Sequence, residues 1–274
     1  MTTLSQSHFR QIQQLAKELW GLNLTDRKRQ LVCNRVGRFL RKSAFDSIEA
    51  YLRHLQDGAD ESDKLLFFDA LSTNVTSFFR ERAAFDYLER EFYTALTRHN
   101  LTRPGRRIRI WSAACSTGPE PYSIAIHALE HLPELPSWDF KILATDLAQS
   151  ALDTARRAEY PWSMVAALDR RLIAEYFLTQ GRGDDRRVTV APAVRNLVTF
   201  GRVNLMDPWR FKGPFDVVFL RNVMIYFDRP TRERLVQRVS DLLRPDGILV
   251  IGSAETLSGC RTALRTGQPS VYVK

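Results

Sequence analysis

Four stretches of this 274-residue sequence carry residue types that could build a ligand site. The first, "SAACSTGPEPYS" (112–123), follows the run "RIRIW" and leads into "IAIHALEHL". A strand that opens into a turn of small residues and then a helix lets the backbone approach a ligand closely. The places that a dinucleotide fingerprint would fill with three glycines read Ala113, Cys115 and Gly118, so a pyrophosphate-binding set is missing. Glu120 stands between Pro119 and Pro121, which fit the first turn of a helix. The second stretch ends "ILATD", and a carboxylate just past a strand, Asp146, can accept both hydroxyls of a ribose. The third, "GRVNLMD", offers Asn204 as a reader of an adenine edge, and the fourth, "FLRNVMIYF", brings Arg221, Asn222 and Tyr226 to the same rim.

Those side chains can meet only if the strands carrying them lie side by side. Beyond "RHNLTRPGRR", short β-rich runs at 107–111, 140–146, 197–203, 215–220, 247–253 and 270–274 alternate with helical segments. Such alternation predicts an α/β protein with a doubly wound, mostly parallel sheet, whose ligands bind at the carboxyl ends of the strands. A ribose-binding acid, an adenine reader and a turn without phosphate donors then point to S-adenosylmethionine. Residues 1–75 read differently. "FRQIQQLAKELWG", "TDRKRQLVCNRVGRFLRK", "SIEAYLRHL" and "DKLLFFDALS" have helical spacing, which predicts a small helical N-terminal domain ahead of a ligand-binding domain over 76–274. On the second helix Leu31, Val32, Val36, Phe39 and Leu40 form an apolar arc, with Arg27, Arg35, Arg38, Arg41 and Lys42 on an adjacent stripe. Between 179 and 196 a Gly-rich turn and the run "RRVTV" predict a small antiparallel β insertion on the edge of the main sheet.

Composition narrows the class. Hydrophobic residues make up 44% and charged residues 26%, as expected of a globular chain with a sizeable core. "MTTLSQSHFR" does not read as a signal peptide, and no apolar run is long enough to span a bilayer. Three scattered cysteines argue against a disulfide framework, so the expected setting is the cytoplasm. The net charge of +9 suits an acidic partner, which could be nucleic acid, an anionic membrane surface or an acidic protein. No metal site is expected. His127 and His131 are spaced i, i+4 but lack an obvious third ligand, and His8, His54 and His99 lie elsewhere.

Six blocks in order, "NVTSFFRE" (74–81), "WSAACSTGPEPYSIAI" (111–126), "LATDLAQSALDTARRAEY" (143–160), "NLMD" (204–207), "GPFDVVFLRNVMIYF" (213–227) and "LLRPDGILVIGSAE" (242–255), resemble the CheR-type chemotaxis receptor methyltransferases. The resemblance runs from about residue 8 to the end of the chain. One departure is Pro119, where that family usually has a first glutamate before the one matching Glu120. The resemblance implies the class I S-adenosylmethionine-dependent methyltransferase fold. It also implies methyl transfer to glutamate side chains on the cytoplasmic methylation helices of membrane chemoreceptors, with S-adenosylhomocysteine as the other product and no metal.

By the same resemblance Asn74, Thr76 and Arg80 join Glu120, Asp146, Asn204, Leu205, Arg221 and Asn222 as cofactor contacts. A glutamate is already ionised at neutral pH, so the site needs orientation rather than a general base. Arg80 and Tyr226 are the residues expected to aim it, with Arg35, Arg38, Arg41 and Lys42 docking the glutamate-rich helix. Some members of the family also grip a C-terminal receptor pentapeptide through the β insertion, a question the sequence leaves open here. Two other readings compete. A nucleic-acid methyltransferase would fit the positive charge, but the fourth strand lacks an Asn/Asp-Pro-Pro-Tyr/Phe loop and no cysteine is placed for C5 chemistry. A non-catalytic adaptor of the same fold would not be expected to retain Arg80, Glu120, Asp146 and Tyr226.

Overall fold

A computed structural model describes residues 4–98, 106–132 and 134–274. His99 and most of the stretch "RHNLTRPGRR", after which the β-rich runs were expected to begin, lie outside them.

The N-terminal helices form where their caps and apolar spacing predict. Helix α1 (Gln6–Trp20) starts at Ser5, whose hydroxyl accepts from the His8 amide, and stops at Gly21 in the left-handed conformation. Helix α2 (Arg29–Leu40) follows a 3₁₀ turn at Asp26–Lys28. Helices α3 (Ile48–Gln56) and α4 (Glu61–Leu71) are capped by Ser47 and Asp60. Their apolar faces close one core around Phe9, Ile12, Trp20, Tyr51, Leu52 and Phe67. Two expectations about α2 fail. Leu31 is 44% exposed rather than in the core. Arg27 sits on the 3₁₀ turn and Arg41 and Lys42 follow the helix, so the basic residues do not form one helical stripe.

Further helical structure leads to the sheet: α5 (Ala83–Tyr87), a π-helical stretch at Leu88–Tyr93, and α6 (Thr94–Arg98). Then come β1 (Arg107–Ala113), α7 (Pro119–His131), β2 (Asp139–Asp146), α8 (Gln149–Arg157), β3 (Glu159–Pro161), α9 (Arg170–Tyr176), β4 (Phe177–Gln180), β5 (Arg187–Val190), α10 (Pro192–Arg195) and β6 (Val198–Arg202). The chain closes with β7 (Phe215–Leu220), α11 (Arg229–Leu242), β8 (Leu243–Ile251), β9 (Arg265–Gln268) and β10 (Val271–Val273).

Seven strands form one sheet in the order β6-β2-β1-β7-β8-β10-β9. The first five are parallel, and β10 is antiparallel to both of its neighbours. Side chains alternate between two cores, as strand geometry requires. Ile108, Ile110, Val217 and Phe219 face α7 and the 85–92 region, whereas Trp111, Val218, Leu220 and Leu249 face α11. The sheet is therefore covered on both faces, which explains its nearly continuous apolar strands.

The β insertion is larger than its sequence signal and is not an edge of the main sheet. It is a separate three-stranded sheet, β3-β5-β4, that begins at Glu159. Strands β3 and β9 gave no signal because they are short and carry few apolar residues.

Candidate functional site

Strand order reverses between β1 and β7, because β2 and β6 lie on one side of β1 while β8 lies beyond β7. A crevice opens where connections leave such a pair in opposite directions. Here it is a cleft of about 350 Å³, closed on the far side by α1, α2, α4 and the segment after α4. Asn74, Thr76, Arg80, Glu120, Asp146, Asn204, Leu205, Arg221, Asn222 and Tyr226 all line it.

The turn after β1 is held in a strained backbone. Ala114 and Ser116 are left-handed at φ 61° and 52°, and Gly118 has φ 98°. A Cβ on Gly118 would lie 2.8 Å from the Tyr160 hydroxyl and 2.9 Å from the Ala155 Cβ, so only glycine fits. Phe79, Glu81 and Asn222, across the cleft, also have positive φ. Such strain persists where the surrounding structure over-determines the backbone, and it clusters at ligand sites.

Two carboxylates face this space. Asp146 accepts the Ser116 amide at 2.7 Å through Oδ2 and the Ala148 amide at 2.9 Å through Oδ1. Burial pushes its pKa above the usual carboxylate value despite these bonds. Each oxygen retains a second lone pair, so a ligand diol can still donate to it. Glu120 lies in the first turn of α7 and accepts from Ser112 Oγ at 2.7 Å and Arg221 Nη1 at 3.1 Å. Burial raises its pKa too, with Arg221 opposing. Two desolvated acids with acceptor capacity left over suit a ligand that offers hydroxyl and ammonium donors.

Arg221 is the hub of the rim. Its buried guanidinium also pairs with Glu81 at 3.0 Å and donates to the Arg80 carbonyl at 2.6 Å. Glu81 in turn accepts the Ser253 amide, and Glu255 accepts the amides of Asn222, Ile225 and Gly252. The sequence reading assigned neither acid a role. An acid in a loop has no periodicity to betray it, and its partners are distant in sequence. Arg80 is partly exposed, donates to the Val75 carbonyl at 3.1 Å and lies 3.7 Å from Glu81. Tyr226 ends a 3₁₀ turn with Lys28 Nζ 4.8 Å from its ring centroid.

Asn204 behaves differently from the expectation of a free adenine reader. Its amide nitrogen donates to the Leu19 carbonyl and its oxygen accepts the Met206 amide, so it fastens α1 to the β6 loop and has little capacity left for a ligand. Cys115 is buried, and burial together with Asp146 and Glu120 pushes its thiol pKa well up, so it cannot serve as a nucleophile.

The chain matches the two domain models of one known family. "CheR methyltransferase, SAM binding domain" matches residues 74–273, and "CheR methyltransferase, all-alpha domain" matches 7–71. The chain belongs to the CheR methyltransferase family. It is 39% identical to chemotaxis protein methyltransferase 2 of Pseudomonas aeruginosa, over 96% of this chain and 91% of that one. It is also 39% identical to the chemotaxis protein methyltransferase of Salmonella typhimurium, over 93% and 85%. The Escherichia coli chemotaxis protein methyltransferase shares 36% over 98% and 91%. The sheet of this methyltransferase is thus that of the class I S-adenosylmethionine-dependent fold, and the switch-point cleft lies within the matched SAM-binding domain.

Arg35, Arg38, Arg41 and Lys42 converge on one open groove with Phe39 and Ala70, although they do not share a helical stripe. Arg35 also lines the switch-point cleft and donates to the Leu71 carbonyl and to Thr73 Oγ1, so the groove and cleft meet at this residue. The expectation that His127 and His131 lack a third ligand is wrong. Glu89, on the π-helical stretch, reaches the pair, with one ligand atom of each residue within 4.8 Å of the others. Among the described residues no helix is long and apolar enough to cross a membrane.

Proposed function

We propose that this methyltransferase acts in the cytoplasm, transferring a methyl group from S-adenosylmethionine to glutamate carboxylates on the methylation helices of chemoreceptors. The products are glutamate methyl esters and S-adenosylhomocysteine. The observation that carries the reading is the pairing of a two-carboxylate cofactor cleft with a basic groove that opens into it at Arg35.

The bound cofactor supplies a methyl group on a positively charged sulfur. Asp146 is suited to accept its ribose hydroxyls, and Glu120, beside Arg221, its ammonium. No histidine lines the cleft among the described residues, and Cys115 is held as a thiol. A site of this kind suits a substrate that arrives already ionised, as glutamate does at neutral pH. Arg80 holds one carboxylate oxygen in a charge-assisted bond and Tyr226 fixes the direction of the other. With the acceptor so aimed, rate comes from orientation. Arg38, Arg41 and Lys42, all exposed, steer an acidic helix toward the mouth. Leu31 and Val75, 44% and 76% exposed at that mouth, offer its apolar face a seat. The β insertion presents β3 and β4 as free edges to which a receptor's C-terminal peptide could add as a strand.

The test is incubation with labelled S-adenosylmethionine and membranes that contain the organism's chemoreceptors. Alkali-labile label on a receptor-sized band is the expected result. Label confined to nucleic acid, or no label with cofactor bound, would overturn the proposal.

A further inference from the structure

We propose that His127, His131 and Glu89 form a site for a divalent transition metal ion of the zinc or cobalt type, outside the cofactor cleft. His127 and His131 lie one turn apart on one face of α7, with ring centroids 4.4 Å apart. Glu89 Oε1 lies 3.4 Å from His131 Nδ1. Two imidazoles and a carboxylate are a donor set that borderline divalent ions take, leaving a fourth position for water. None of the three lines the cofactor cleft.

The separations suit closure on an ion. Ligand atoms now within 4.8 Å of one another would draw together to roughly 3.4 Å around an ion bonded at about 2.1 Å. Glu89 is half exposed and His131 a third exposed, so both can swing, whereas His127 is anchored. Only 6% of His127 is exposed, and its ring packs between Phe85 at 5.3 Å and Tyr93 at 5.6 Å. Its Nδ1 is buried without a hydrogen-bond partner, an unsatisfied atom of the kind that marks an absent ion or water. An ion here would tie the π-helical stretch to α7, the helix that carries Glu120 in its first turn. Its role is that of a staple, and methyl transfer does not require it.

The experiment uses the full chain, stripped with chelator and titrated with Zn²⁺ by calorimetry and with Co²⁺ by visible absorption, at pH 7.5. Parent, His131→Ala and Glu89→Gln are compared, both substitutions being at partly exposed side chains. One ion per chain is expected, without a thiolate band from Cys33, Cys115 or Cys260. Each substitution should weaken it at least about tenfold and leave S-adenosylhomocysteine affinity unchanged. Zn²⁺ should raise the melting temperature of the parent alone. A parent that takes up no ion would overturn the proposal. So would variants that bind as the parent does, which would place the ion at another pair such as His8–Glu49 or His54–Asp63.

Discussion

In an Asp146→Asn variant the buried side chain keeps its volume but loses its charge and one of its two acceptor oxygens. Two effects on folding then oppose each other. One of the amides of Ser116 and Ala148 loses its acceptor, at a cost of about 1–3 kcal/mol. Against this, a desolvated charge is gone. The folded pKa of Asp146 lies above its unfolded value, so its ionisation favours the unfolded chain, and stability falls as pH rises through the window between the two. The net change at pH 7 should therefore stay within about 2 kcal/mol. Ligand affinity has no such compensation. A charged acceptor gives about 1.5–3 kcal/mol per hydrogen bond against roughly 0.5–1.5 for a neutral one. Two ribose hydroxyls should thus lose about 2–3 kcal/mol together, a roughly 30- to 150-fold loss of affinity. The assay is calorimetric titration of S-adenosylhomocysteine, paired with denaturant unfolding of the same samples. Parent affinity should also fall on acidification through the raised pKa of Asp146, a limb that shrinks in the variant to the share held by Glu120. Affinity within about twofold of the parent in a folded variant would refute the reasoning and place the ribose elsewhere. Asp146→Ala is a poorer probe, because it orphans both amides.

Tyr226→Phe should lower turnover by on the order of a hundredfold while S-adenosylhomocysteine affinity barely moves. A pH–rate profile should show no rising limb near neutrality in either enzyme, and a limb that vanishes in the variant would make Tyr226 a base instead. Reversing Arg38 and Arg41 to glutamate should slow receptor methylation at low salt and flatten its salt dependence, with cofactor affinity unchanged; kinetics equal to the parent's would reduce the groove to a solvated face. Arg221→Met leaves the partly buried Glu120 and Glu81 without their cation, so denaturant unfolding should show a loss of up to about 3–5 kcal/mol. A variant as stable as the parent would mean that the two acids are held by their other bonds.

What the sequence determined by itself is whatever local rules encode. The caps at Ser5, Ser47 and Asp60 and the stop at Gly21 act within one turn, so they are legible without a partner. The alternation of β-rich runs and helices implied a parallel doubly wound sheet, and that architecture brings strand ends to one rim, so Asp146, Asn204, Arg221 and Tyr226 could be named in advance. Tertiary structure decided what these residues touch. Asn204 holds Leu19, Glu81 and Glu255 pin loops far away in the chain, and Arg35 joins groove to cleft. The separate β3-β5-β4 sheet arises from pairing that short, polar strands do not announce. Glu89 meets His127 and His131 only because a π-helical stretch packs beside α7. Contacts between segments distant in sequence depend on where packing brings whole elements, and no window along the chain contains that information.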